Sequence, residues 1–332
     1  MQSRFRALGL DAVGLHLPKT GLREIRAVRR VLGRTNARVV MVDTPRDLRL
    51  AVSASLFTGR PIVYRYNRYS SNPRLHLSDR FYLRQVDACV FQSEFIETKA
   101  LGDAPPLRRA RRYRIPNGVD LEFFTAKPDA GSCFRDTHGL SPDTFVVLTA
   151  SKLAPNKALD VALDAVARVR AGGHNVVYVL CGHGAQADTL RQAANELKVP
   201  VLFTGPLDPE SMVAALSAAD VVVHPAPIEI FPNSVAEAMA CARPVIGIDS
   251  SGVPEVIGPG QEAGLLVPPA DPVALAAAMV RLLLDSELRR RLGRAARARV
   301  AKEFPLQRME EGYVCMFLEE VYGFRRVQQE AP

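Results

Sequence analysis

What the 332-residue chain lacks narrows it first. Its five cysteines, Cys89, Cys133, Cys181, Cys241 and Cys315, are odd in number and have neither CxxC nor metal-type spacing. They read as reduced small hydrophobes, and no structural zinc is expected. No apolar run approaches the roughly 18 residues that a membrane-spanning helix needs. The opening MQSRFRALGLDAVGLHLPK has only a short apolar part, broken by Asp11, and is no secretory signal. These absences predict a cytosolic protein. There is no DxD pair to hold a diphosphate through a metal, so no metal or other cofactor is expected. Neither His183 nor His224 has an obvious serine or cysteine nucleophile with an acid partner nearby, so both read as structural or loop residues.

What is present fits two ordinary globular domains with substantial cores, since 48% of the residues are hydrophobic and 23% charged. The net charge of +8 is uneven: residues 1–140 carry 25 Lys and Arg against 13 Asp and Glu, and residues 141–332 carry 18 against 22. The first half therefore has the basic surface. RRARRYR at 108–114 and the arginine face of residues 22–34 predict peripheral docking on anionic membrane, with ordinary solvated helix surface as the alternative. Nucleic acid is disfavoured, because no aromatic platform or recognition motif accompanies the charge.

Short apolar or β-branched runs at 10–17, 38–42, 61–65, 87–91 and 112–115 alternate with helical patterns such as LREIRAVRRVL, in which Leu22, Ile25, Val28 and Leu32 share a face. A polar segment with Pro128, Gly131 and Asp136 then reads as a linker. Strands at 145–150, 176–181, 200–204, 220–223, 244–248 and 264–267 follow, separated by helices near 157–171, 186–197, 209–218 and 234–242, with three more helices after them at about 271–284, 286–301 and 305–324. The expected architecture is α/β, with two Rossmann-like doubly wound parallel sheets facing a cleft. The domains are placed at 1–125, a linker at 126–142, 143–304, and a C-terminal helix at 305–332.

The stretch 224–256, HPAPIEIFPNSVAEAMACARPVIGIDSSGVPEV, carries the densest chemistry. With Asn233 or Ser234 as N-cap and Pro244 as a forward stop, a helix is expected from about 234 to 242. Glu229 then precedes it and Glu237 lies one turn inside, so two carboxylates flank a helix N-terminus suited to an anion. Ser234 and Glu237 also fit a capping box, which leaves a structural reading beside the ligand one. Lys152 and Lys157 follow the strand at 145–150, where they suit a diphosphate or stand as solvated loop lysines. Gly182-His183-Gly184 follows the strand at 176–181 and formally satisfies a GxGxxA fingerprint. The acid that an NAD site needs about 20 residues on is absent, since Thr204-Gly205 stands there. The two glycines are expected to let the backbone turn tightly and approach a nucleotide.

These motifs together resemble the family 4 GT-B glycosyltransferases, the glycosyl transferases group 1, over nearly all the chain from about residue 7. The resemblance rests on FQSEF at 91–95, IPNGVDLEFF at 115–124, the lysine pair, the glycine turn, LFTGPLD at 202–208, EIFPNSVAEAMA, and SGVPEVI followed by GLLVPP. It implies a retaining hexosyltransferase that uses a nucleotide-sugar and an acceptor hydroxyl on a glycan or lipid-linked molecule, in surface polysaccharide or glycolipid synthesis. By position, Glu237 would bind the ribose hydroxyls and Glu229 the donor sugar. The N–H groups of Asn233, Ser234 and Val235 would meet the distal phosphate, and Lys152 and Lys157 would stabilise charge on the departing diphosphate.

Three departures stand out. Ala158 and Ala242 occupy positions where such enzymes usually have glycine, and a right-handed backbone is expected there, with a slightly different helix end. The segment 63–71 has no histidine, leaving Arg65 or Asn67 as stand-ins. The opening strand, glycine-rich turn and most of the first helix are missing, and the missing strand is expected between those at 10–17 and 61–65, leaving interior edges unpaired. An upstream start, or a short form with impaired activity, follows as the expectation. A catalytically silent nucleotide-sugar-binding protein is the alternative function.

Overall fold

The computed structural model describes residues 20–56, 58–69 and 75–323. The expected strand at 10–17 and residues 70 and 71 lie outside them. The described residues divide into two compact units, the first made of those within 20–91, 97–114 and 314–323, the second of 92–96 and 115–313.

In the first unit, α1 (Leu22–Arg34) half-buries Ile25, Val28 and Leu32 and exposes Arg23, Arg26, Arg30 and Arg34. Leu22 is not on the packed face: as the first helical residue it is 72% exposed. The helix lies on α2 (Pro45–Ser55), which starts on Thr44, whose hydroxyl accepts the Asp47 N–H at 3.1 Å. Strands β1 (Val40–Val42), β2 (Ile62–Arg65), β3 (Ala88–Phe91) and β4 (Arg111–Arg114) form one parallel sheet in that order. β2 pairs with β1 on one side (Val40 opposite Ile62) and with β3 on the other (Val63 opposite Ala88). The unpaired edge expected beside residues 61–65 is therefore filled, because the strand at 40–42 is its direct neighbour. Helices α3 (Leu77–Leu83) and α4 (Glu94–Asp103) follow β2 and β3.

The period of two divides the charges of β4. Arg111 pairs with Glu320 of α13 (Leu306–Tyr322), and the Tyr113 hydroxyl donates to Glu319 and Glu320 at 2.8 Å each. Arg112 and Arg114 meet Glu97 of α4 at 3.5 and 2.9 Å. Three arginines of RRARRYR thus have acidic partners within the unit, while Arg108 and Arg109 are exposed.

The second unit begins earlier than expected. Residues 126–142 are no linker, because they hold α5 (Pro128–Thr137), packed on α8 (Pro209–Ala218). Gly131 is the contact point: a Cβ there would lie 2.7 Å from the backbone of Ser217. The glycine serves close helix approach rather than flexibility. The sheet consists of β5 (Phe145–Ala150), β6 (Val176–Cys181), β7 (Val201–Gly205), β8 (Val221–His224), β9 (Val245–Ile248) and β10 (Leu265–Val267), all parallel, in the order β10-β9-β8-β5-β6-β7. Val146 and Leu148 of β5 enter one core with Phe134, Leu216, Met239 and Val300. Phe145 and Val147 enter the other, under α6 (Leu159–Ala171) and α11 (Pro272–Leu284). Burial on both faces is why these strands read as unbroken apolar runs. The chain also makes α7 (Ala187–Glu196), α9 (Asn233–Ala240), α10 (Val253–Ile257) and α12 (Ser286–Glu303). Among the described residues no helix is long and apolar enough to cross a membrane.

Candidate functional site

Strand order reverses between β5 and β8: from β5 the chain steps out through β6 to β7, and from β8 through β9 to β10. Loops leaving the carboxyl ends of two such strands diverge and leave a crevice, the usual ligand position in open α/β sheets. Lys152 and Lys157 leave β5, and Glu229 and α9 follow β8, so the topology brings these predicted residues to one crevice.

Lys157 Nζ pairs directly with Glu229 Oε1, both side chains about one-fifth exposed. The backbone of Glu229 is pinned by the segment 251–252: its N–H donates to Ser251 Oγ at 2.9 Å, and its carbonyl accepts the Gly252 N–H at 2.8 Å. A Cβ on Gly252 would lie 2.1 Å from the Ile230 carbonyl, so only glycine permits that approach. His224, the last residue of β8, is 4% exposed, and its Nε2 lies 3.8 Å from Glu229 Oε1 with no hydrogen-bond partner among the described residues. Burial first, and then the nearby Lys157 charge, push its imidazole down to about 3, so it is neutral. The sequence reading set His224 aside, yet the structure brings it to the crevice. A buried, uncharged nitrogen without a protein partner suits a hydroxyl of a ligand.

Helix α9 starts one residue earlier than expected. Pro232 is its N-cap, and its carbonyl takes the N–H groups of Val235 (3.0 Å) and Ala236 (3.2 Å). Of the three N–H groups assigned to an anion, Val235 is therefore already engaged, while those of Asn233 and Ser234 have no partner among the described residues. Asn233 Oδ1 accepts from Asn117 Nδ2 at 3.0 Å, which ties PNGVD to the signature helix. That segment is itself anchored by Val119, whose N–H donates to Phe304 (2.9 Å) and whose carbonyl accepts from Leu306 (3.0 Å).

No capping box forms at Ser234 and Glu237. The Glu237 side chain makes no hydrogen bond or ion pair among the described residues, and burial pushes its carboxyl up to about 7. A half-buried acid left without a partner costs stability unless a ligand satisfies it.

The glycine turn also makes a backbone contact that was not expected. A Cβ on Gly182 would meet the Ser151 carbonyl at 2.0 Å, and one on Gly184 the Leu153 carbonyl at 2.1 Å. The Gly182 N–H donates to Gly205 (2.8 Å), and the His183 carbonyl accepts from Leu153 (2.9 Å). The two glycines let this turn lie against the loop that carries Lys152, which is exposed and has no ion pair among the described residues. Glu255 is a further residue without a sequence-assigned role: its carboxylate accepts the N–H groups of Glu94 (2.7 Å) and Phe95 (2.8 Å), all within the second unit. In the first unit, Arg65 ends β2 with Nη1 3.9 Å from Asp43 and Asn67 is exposed in the loop beyond.

The family model for glycosyl transferases group 1 matches residues 134–299, half of the chain. Among curated proteins, the chain is 31% identical over 238 residues to a GDP-mannose-dependent monoacylated α-(1-6)-phosphatidylinositol monomannoside mannosyltransferase of Corynebacterium glutamicum, covering 68% of this chain and 61% of that protein. It is 33% identical over 198 residues to a D-inositol 3-phosphate glycosyltransferase of Corynebacterium jeikeium, covering 57% of this chain and 47% of the relative. The matches thus span about half to three-fifths of the length of these relatives.

In fold, the chain is similar to a glycosyltransferase from Rickettsia africae, with a TM-score of 0.85 at 15% identity over 97% of this chain and 88% of that one. It is also similar to Anabaena HepE in complex with UDP and glucose, with a TM-score of 0.83 at 19% identity over 95% of this chain and 88% of that one. The chain belongs to the glycosyl transferases group 1 family and has its GT-B fold of two parallel-sheet α/β domains.

Proposed function

We propose that the protein is a retaining glycosyltransferase that moves a hexosyl group from a nucleotide-sugar to a hydroxyl of a glycan or lipid-linked acceptor. The observation that carries this reading is the unpartnered, half-buried Glu237 one turn behind two free N–H groups, beside the Lys157–Glu229 pair. Glu237 accepts from the ribose hydroxyls, and Asn233 and Ser234 N–H meet the distal phosphate. Lys152 and Lys157 stabilise the charge that grows on the diphosphate as the anomeric bond breaks, without a metal. Glu229 takes hydroxyls of the donor sugar. The acceptor oxygen attacks the anomeric carbon from the side of the departing diphosphate, and its proton passes to that phosphate. Relatives named for GDP-mannose and phosphatidylinositol mannosides support a mannosyl donor and a membrane-borne acceptor. The exposed arginines of α1 are the part of the basic first half that suits anionic membrane.

The test is hydrolysis and transfer by the purified chain across UDP-, GDP- and ADP-sugars. One donor is expected to turn over with retained configuration. Lys157→Ala is expected to lower kcat by about 100-fold, the scale of losing one transition-state charge contact. Glu237→Ala is expected to raise the donor KM. Donor binding without transfer to any acceptor would turn the assignment to a silent binding protein, and unchanged kinetics in both variants would remove these residues from the site.

A further inference from the structure

At the amino edge of the second unit's sheet, away from the crevice, lies an open basin of about 500 Å³ whose lining includes Asp220, Arg243, Ser286, Arg289, Arg290 and Arg294. Asp220 leads into β8, Arg243 precedes β9, and the other four belong to the first turns of α12. Four arginines and one acid are among its lining residues, in the half of the chain that has more acidic than basic residues. General basicity does not explain that.

Hydrogen bonding within the unit fixes Arg243 and Arg289 without cancelling their charge. Arg243 Nε donates to the Cys241 carbonyl (3.2 Å) and its Nη1 to the Ala219 carbonyl (3.1 Å), at the ends of α9 and α8. Arg289 Nη1 donates to the Leu283 carbonyl at 2.8 Å, at the end of α11. Carbonyls at helix C-termini orient a guanidinium and leave its net charge in place. Asp220 is already held by Arg135 Nη2 and by the Val146 N–H, each at 2.8 Å. Arg290 and Arg294 share a single acid, Glu287, at 2.6 and 3.8 Å. Arg297 and Arg299 on the same helix differ, because they donate to interior carbonyls of Phe124, Ala240, Leu121, Val256 and Glu255.

We propose that this basin is a second anion site, separate from the donor crevice, that binds a phosphate-bearing ligand through Arg243, Arg289, Arg290 and Arg294. Planar guanidinium forks match phosphate oxygens two at a time, and fixed orientation lowers the entropy lost on binding. The volume suits a sugar phosphate or the phosphorylated headgroup of a lipid. Those two sources share the chemistry and differ in whether a bilayer is attached.

The test titrates the full chain with inorganic pyrophosphate by calorimetry, comparing wild type, Arg290→Ser/Arg294→Ser and Lys152→Ala. The wild type is expected to show a site that Lys152→Ala retains and the double arginine variant weakens about tenfold or more, while nucleoside diphosphate binding in that variant is unchanged. Glucose 6-phosphate and phosphatidylcholine vesicles containing phosphatidate then separate the sources: saturable binding of the soluble ester assigns a metabolite, and co-sedimentation lost in the double variant assigns a headgroup. Pyrophosphate binding that is equal in wild type and the double variant, or absent from both, overturns the proposal.

Discussion

The end strand of the first unit's sheet and the inner strands of the second unit's sheet are held by different forces. In the second unit β5, β6, β8 and β9 are buried almost throughout, and their apolar side chains enter cores on both faces. In the first unit the end strand β4 is Arg-Arg-Tyr-Arg, mostly exposed, and is tied down by carboxylates of α4 and α13. A strand buried on both faces has its register fixed by packing, which does not depend on pH or salt. A charged end strand is seated by ion pairs that salt and protonation weaken. The candidate site stands on the first kind of support, where precise positioning of Lys157 and Glu229 does not hinge on ionisation elsewhere.

The largest expected effect tests whether that support is as unforgiving as it looks. Gly182→Ala puts a methyl 2.0 Å from the Ser151 carbonyl at a backbone φ of +143°. Backbone must move, and a loss of about 4 kcal/mol in denaturant unfolding is expected, with nucleotide binding lost because the Lys152 loop shifts with it. A loss under about 1 kcal/mol would show that the contact of the two loops yields easily.

Next in size is the acid the site keeps unsatisfied. The carboxyl of Glu237 sits at about 7 against an ordinary 4.5, so the folded protein holds this proton more tightly than the unfolded chain between those pH values. The stability contributed by the protonated form is present below pH 4.5 and lost as pH rises to 7, by an amount on the order of 2–3 kcal/mol. Glu237→Gln is expected to flatten the pH dependence of unfolding across that window and to be the more stable protein above pH 7. Donor affinity of the wild type should move the other way, rising towards pH 7 as the carboxylate forms. Parallel pH curves for wild type and Glu237→Gln would break the link between this site and its ligand.

In the first unit the corresponding test is Arg111→Met. It leaves the Glu320 side chain, which has no exposed surface, with the Tyr113 hydroxyl as its one hydrogen-bond partner among the described residues. Because Arg111 is itself 56% exposed, screening limits the loss to about 1–2 kcal/mol. Glu320→Gln in the same background should recover part of it. The loss should grow less distinct in high salt, whereas that of Gly182→Ala should not change.

The same contrast explains what could be read in advance. The strands of the second unit were legible to within a residue or two, because burial on both faces writes continuous apolar runs. The crevice was legible because helix starts and strand ends carry their own residue signals: Lys157, Glu229 and Glu237 lie where spacing put them. Three things were hidden for one reason, that backbone approach leaves no hydrophobic pattern. Gly131 looked like a linker residue and is a helix crossing; the backbone contact of Gly182 and Gly184 with the loop after β5 was not foreseen; Ser251 and Gly252 were read as part of SGVPEVI, with no sign that they hold Glu229. The neighbour of β2 was misplaced because strand order within a sheet depends on crossovers, which a list of apolar runs does not contain. His224 was passed over because a lone histidine shows no partner in sequence, and its setting beside Lys157 exists only after β5 and β8 pair.

The smallest effect concerns the two alanines expected to avoid the left-handed backbone. They do not avoid it: Ala158 has φ +48° and Ala242 φ +53°, so the helix ends keep the geometry that glycine would allow and the methyl bears the strain. A left-handed conformation costs a non-glycine residue about 1 kcal/mol, partly offset by the lower entropy of alanine in the unfolded chain. Ala158→Gly and Ala242→Gly are each expected to stabilise the protein by about 0.5–1 kcal/mol, measured by urea unfolding. Ala158 immediately follows Lys157, so relief of strain there also frees the lysine. A gain in stability with a fall in kcat would show that the strained alanine helps hold Lys157 against Glu229, whereas a gain with unchanged kcat would show that apolar packing around the crevice positions the pair unaided.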